Sequence, residues 1–184
     1  MSFLIYLLII LVGVIFLALI YYYNRFVVLS NRIDNALSQI DVQLRKRADL
    51  VPNLMNTVKG YMKHEKEIFK QLTDARKAIM QAKDFQSRIK AGNQLQKTLK
   101  TIFALAESTP QLKANENFLQ LQQELSAIED KVAYSRQFYN DSILDYNNSI
   151  NLFPGNLFAK IFGKKEKEYL KIPVETRAVP KVEF

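Results

Sequence analysis

The sequence contains no cysteine and no tryptophan, a single histidine, and five glycines and five prolines among 184 residues. Without cysteine there can be no disulfide, no thiolate metal ligand and no cysteine nucleophile. The lone histidine, His64, stands beside Glu65 and cannot furnish the paired Glu-x-x-His sites of di-iron bundles. No Gly-rich phosphate loop, His-Glu-x-x-His or Gly-x-Ser-x-Gly pattern occurs. Asp34 and Asp41 lie one heptad apart, about 10.5 Å along a helix, too far to share a proton. The expectation is therefore no catalytic residue, no metal and no cofactor. The 26 Lys and Arg outnumber 18 acids, for a net charge of +8. They are interspersed with acids and not interleaved with aromatics, so nucleic acid is not an expected partner. Scarce Gly and Pro, with abundant Leu, Lys, Gln, Ala and Ile, read as an all-α protein.

The most conspicuous presence is a run without charge from position 2 to 24, almost pure Leu, Ile, Val and Phe between Phe3 and Ile20. As a helix, Phe3 to Tyr23 measures about 31 Å, the thickness of a hydrocarbon core. Tyr21, Tyr22 and Tyr23 suit an interfacial aromatic belt. A cleaved signal peptide fits poorly, because no Lys or Arg precedes the run and no small-x-small site ends it. The reading is a transmembrane anchor. Arg25 and Arg32 follow it closely, and Arg45, Lys46 and Arg47 come further on, which places the C-terminal domain in the cytoplasm.

Beyond the anchor the apolar period is helical. Ile33, Leu37, Ile40, Leu44, Val51, Leu54 and Val58 share one face, with Pro52 inside it as a kink, or Asp49 as the cap of a fresh start. Ile68, Leu72, Ala75 and Ile79 mark a second helix. Asp84 is placed to cap a third, carrying Leu95, Leu99 and Ile102. Phe118 through Ile150 form a long fourth helix, ended by Phe153-Pro154-Gly155. The expected fold is an N-terminal transmembrane helix continuing into an antiparallel four-helix bundle, with helices two and three short and one and four long. The organisation is an anchor over 1–24, a bundle over 25–153, a basic amphipathic segment over 154–165 and an extended tail over 166–184. Near the membrane, Phe26 to Leu44 and Val132 to Leu152 would have mainly each other. Phe26, Val27, Val28 and Leu29 are apolar all round the helix and are then expected on a stalk whose surface needs a partner.

Several motifs resemble those of the LemA family: Tyr23-Asn24-Arg25, Arg47-Ala48-Asp49-Leu50-Val51-Pro52-Asn53-Leu54, Gly60-Tyr61, His64-Glu65, Leu112-Lys113-Ala114-Asn115-Glu116-Asn117-Phe118, Tyr139-Asn140, Tyr146-Asn147 and Phe153-Pro154-Gly155-Asn156. The likeness runs from about Tyr23 to Phe162 and departs at Ser108-Thr109. It implies a bacterial single-pass inner-membrane protein with a helical domain of bromodomain-like topology and no agreed activity, in the genetic company of membrane proteases.

Four groups of residues are candidates for contact. Arg47, Asp49 and Pro52 mark a costly proline in a long helix, and Arg47 and Arg136 could enter inter-helix ion pairs with Asp34, Asp41, Asp49 and Glu129. Tyr139-Asn140 and Tyr146-Asn147 recur one heptad apart, either as a polar ladder for a partner helix or, more simply, as packed tyrosines with asparagines fixing register. Phe158 and Phe162, with Leu157, Ile161 and Lys160, form a short basic amphipathic unit that either docks on headgroups or folds back on the bundle. The tail from Lys171 reads as a peptide for a partner. The expected function is a membrane-anchored, non-enzymatic scaffold or adaptor, a homo-oligomer or the partner of another membrane protein, with the lipid bilayer as its first partner. The alternative is a signalling or ligand-binding module whose helical head holds a small molecule or peptide.

Overall fold

The computed structural model describes residues 2–62 and 65–170. His64 and the tail from Lys171 lie outside them. The described residues are all helical or irregular, with no strand among them. Six helices follow in order: α1 (Ser2–Val58), α2 (Lys66–Gln81), α3 (Phe85–Glu107), α4 (Pro110–Lys113), α5 (Glu116–Asn151) and α6 (Gly155–Ile161).

The apolar run and the amphipathic stripe after it form one helix. Its first part is long and apolar enough to cross a membrane, and none of that window is buried within the protein. Pro52 lies inside α1 without ending it, so Asp49 caps nothing and is exposed. The lost backbone donor is offset by burial around it, since Leu44, Val51, Leu54 and Val58 are fully enclosed. Asp84 caps α3 as expected, accepting from the Ser87 amide at 2.8 Å. That bond and the Ser87 hydroxyl hold its carboxyl below the usual range. The Ser108-Thr109-Pro110 boundary hides a single turn, α4, with proline where its missing N–H costs nothing. Asn115 then accepts from the Phe118 amide at 3.0 Å to open α5. A Schellman motif closes α6: Gly163 bonds to the Lys160 carbonyl and Lys164 to that of Ala159, with Gly163 at φ +61.

The chain divides into two compact units, and the division falls within both long helices. The central unit, Ala36–Arg136, gathers the second part of α1, all of α2 to α4 and the first part of α5. Each long element in it buries an apolar stripe, for example Ile40 and Leu54, Leu72 and Ile79, Leu95 and Ile102, Phe118 and Leu125. The terminal unit, Met1–Asn35 with Gln137–Phe184, holds the apolar run, the rest of α5, α6 and the chain that follows. Here the expectation that two helices would have mainly each other is corrected. A third element, α6 with residues 162–170, packs in as well.

Candidate functional site

In the terminal unit Phe26, Ile33, Ile143, Tyr146, Ile150 and Ala159 form one buried cluster, with Tyr22, Leu29, Tyr139, Phe158 and Phe162 packed against it. Six of the residues singled out from sequence thus meet in one place. Tyr22 stacks on Phe158 at 4.7 Å, Tyr23 meets Phe162 edge-on at 5.4 Å, and Phe26 meets Phe162 at 6.4 Å. Phe26 is therefore core and not a contact surface, because α6 supplies the cover that a single facing helix could not. α6 can approach because position 155 is glycine. A Cβ there would strike the Ser149 carbonyl oxygen. One face of α6 folds back, while Leu157 and Ile161 on its other face stay exposed, with Leu152 and Phe153 before them.

The two asparagines are used differently from either expectation. Asn147 donates from Nδ2 to the Lys167 carbonyl at 3.0 Å, and its Oδ1 accepts from the Lys167 amide at 3.0 Å. Asn140 repeats the pattern on Leu170, at 3.4 and 2.9 Å. Neither fixes the register of two helices; both read the backbone of an extended segment. Lys167 lays its ammonium over the Tyr146 ring, 5.3 Å from the centroid, and donates to the Ser30 hydroxyl at 3.2 Å. The tyrosines pack as core. Burial raises the pKa of both, and Asp34 adds to the rise at Tyr139.

Beside this lies an open groove of about 710 Å³, lined by Tyr21, Asn24, Arg25, Val28, Leu29, Arg32, Asp145 and Asn148. Arg25 donates to Ser149 Oγ at 3.1 Å and Tyr21 OH at 3.0 Å, and Arg32 pairs with Asp145 at 3.0 Å. Val28 is 64% exposed on its floor. The α1 side of this groove, Val28 and Leu29 above all, was singled out from sequence; its α5 side, Asp145 and Asn148, was not. The groove is built from residues that α1 and α5 contribute at unrelated sequence positions.

In the central unit Arg47 is 2% exposed and pairs with Glu129, which also accepts from Gln96. Arg136 donates to Asn93 at 2.8 Å. Burial, and then the nearby Arg136, pull the Arg47 pKa down to about 10; burial also lowers that of Arg136. Asp41 takes both Arg45 and Arg88, and Arg76 donates to the Ala48 carbonyl at 3.1 Å. A cleft of about 200 Å³ opens next to Arg47 and Glu129, walled by Leu99, Phe103 and Leu125. Among the described residues no group of acids and histidine is arranged to hold a metal ion.

Residues 36–184 match the family model described as the LemA family. The chain is 25% identical over 175 residues to magnetosome protein MamQ 2 of Paramagnetospirillum magneticum, covering 81% of this chain and 64% of that protein. Against magnetosome protein MamQ of Magnetospirillum gryphiswaldense the figure is 24% over 173 residues, 80% of this chain and 64% of that one. Protein LemA of Metamycoplasma hominis is 26% identical over 132 residues, 71% of this chain and 60% of its own length. The chain thus spans less than two thirds of these relatives. With a matched region that covers most of its length, the chain belongs to the LemA family.

Proposed function

We propose that this membrane-associated protein is a scaffold or adaptor of the bacterial inner membrane, with the residues after the span on the cytoplasmic side. It acts by holding a helix of a second copy, or of another membrane protein such as a membrane protease, against its terminal unit. The observation that carries this is the open groove one turn beyond the aromatic belt. It offers the exposed Val28 and half-buried Leu29 between two arginines that already have partners. A floor of exposed β-branched carbon with polar rims is the pattern of a partner-binding surface.

Val28→Asn tests it. The substitution is on the surface, so stability should move by no more than about 0.5 kcal/mol. The oligomer or partner complex recovered in mild detergent should be lost. A wild-type protein that is monomeric at every concentration, and crosslinks to no other membrane protein in cells, overturns the proposal.

The cleft beside Arg47 supports a second reading, a ligand-binding head. Its volume decides the order: about 200 Å³ falls below the ~300–1,000 Å³ of small-molecule sites. The polar groups on its wall, Arg47, Glu129 and Gln96, are also engaged with one another.

A further inference from the structure

The bonds of Asn140 and Asn147 are those of a receptor for peptide backbone. Each carboxamide presents one donor and one acceptor to the N–H and C=O of a single residue, as a neighbouring strand would. Such recognition takes any residue with a free N–H and excludes proline. The spacing fits an extended chain. Seven helical residues rise about 10.5 Å, and three residues of polyproline II rise about 9.3 Å, so a heptad of asparagines meets every third residue of the peptide. The segment shows that threefold period. Lys167 and Leu170 are half-buried, while Glu166, Glu168 and Tyr169 are exposed. It runs antiparallel to α5, and Asn151 continues the line by donating to the Glu166 carboxylate at 2.6 Å. The side-chain preference is a lysine, seated on Tyr146 and Ser30, followed three residues later by an aliphatic.

The occupant is held through its backbone and Lys167, not through a packed apolar core. It belongs to no helix, its side chains bury little, and it hangs from α6 through Gly163–Lys165. Segments with so few apolar contacts open at low cost. Every copy carries both receptor and ligand, and a membrane span holds all copies at one height. Three linker residues reach only about 10 Å, so an exchange needs two α5 helices side by side. The open groove, which α5 lines with Asp145 and Asn148, is the surface that the scaffold reading gives to that second copy.

We infer that Asn140 and Asn147 form a peptide-backbone receptor that holds Glu166–Leu170 in cis and accepts the same segment from a second copy in trans. The inference rests on the scaffold reading and names the partner. A reciprocal exchange of this kind makes a closed two-fold pair.

The absence of cysteine allows a clean test in the full-length protein. One copy carries Asn151→Cys and a differently tagged copy carries Glu166→Cys. They are co-expressed, and native membranes are treated with a short bismaleimide. The two tags should join, and Asn140→Ala with Asn147→Ala in the first copy should reduce the adduct about tenfold. Asn147→Asp keeps the side-chain volume but loses the donor to the Lys167 carbonyl. It should act in the same direction with the helical circular dichroism signal unchanged, which separates lost recognition from lost folding. A third copy bearing both cysteines is the control for the contact in cis; an adduct within that copy but none between the two tags overturns the exchange, as does an adduct indifferent to the ladder variants. An oligomer seen by native mass spectrometry without the adduct defeats the exchange and leaves the scaffold standing; a monomer throughout defeats both.

Discussion

The two units spend their polar groups in opposite ways. In the central unit they are turned on one another: Arg47 on Glu129, Gln96 on Glu129, Arg136 on Asn93, Arg88 on Asp41, Arg76 on a carbonyl of α1. In the terminal unit Asn140, Asn147 and Lys167 are given to a segment without secondary structure, while Arg25 and Arg32, paired with Ser149, Tyr21 and Asp145, line an open groove. The cores differ in the same sense. The central unit is filled mostly by aliphatic chains, with Phe118 meeting Phe103 at 6.0 Å, whereas a set of aromatic rings on α1 and on α6 and its C-cap closes the terminal one. The lesson is that buried charge here is a structural device, and the amides that bind an extended backbone, with exposed carbon beside them, are where recognition is to be sought.

Breaking the ion pair of the central unit should have the largest effect. Glu129→Gln leaves Arg47 enclosed without a counter-charge and close to Arg136. Removing one partner of a buried pair costs about 3–5 kcal/mol. Glu129 is a third exposed, so about 3 kcal/mol is expected, read as a shift in urea denaturation followed by circular dichroism. Arg47→Met with Glu129→Met should regain most of it, because two apolar chains of that size need no counter-charge. Equal losses in the single and double variants would mean that the fold needs this ion pair and its hydrogen bonds and not merely a neutral, filled site.

In the terminal unit the corresponding lever is steric. Gly155→Ala pushes a methyl into the Ser149 carbonyl, and backbone cannot swing aside as a side chain can. Overpacking costs about 1–3 kcal/mol. The expected loss is near 2 kcal/mol, with faster proteolysis after Phe162 as α6 lifts. Gly92→Ala is the internal control. Its new methyl meets only the flexible end of Leu44, so a smaller loss is expected there.

Much of this architecture was legible in the sequence because period and caps are local. The apolar run, the stripes of α1 to α3, the Asp84 cap and the stop at Phe153-Pro154-Gly155 each follow from a few neighbouring residues. What was hidden needs residues far apart in the chain. Phe26 read as an orphan because its cover, Phe162, lies 136 positions away. The heptad of Tyr-Asn pairs was visible, but its object was not. Nothing in Lys167 or Leu170 alone announces a ligand; only a helical pitch set against a threefold extended chain does. α4 was missed because a single turn leaves no period to read. Asp49 as a cap was an open alternative that burial of the flanking stripe decided against.

The smallest effect on stability belongs to the exposed face of α6. Leu157 and Ile161 are 51% and 65% exposed and lie one helical turn apart. The opposite face of the same helix rests on Tyr22 and Tyr23, at the end of the apolar run. If the apolar run spans the bilayer as proposed, Leu157 and Ile161 would lie at the level where it emerges, with Lys160, Lys164 and Lys165 nearby in sequence to meet anionic headgroups. Leu157→Ser with Ile161→Ser should change the denaturation midpoint by an amount equivalent to no more than about 0.5 kcal/mol. The informative measurement is a polarity-sensitive dye on Leu157→Cys in nanodiscs containing brominated lipid. Strong quenching there, against none in nanodiscs of the same lipid without bromine, is the expected result. Equal emission in both lipids would show that α6 leaves its apolar edge to a protein partner instead of lipid, and would move that edge onto the same docking surface as Val28.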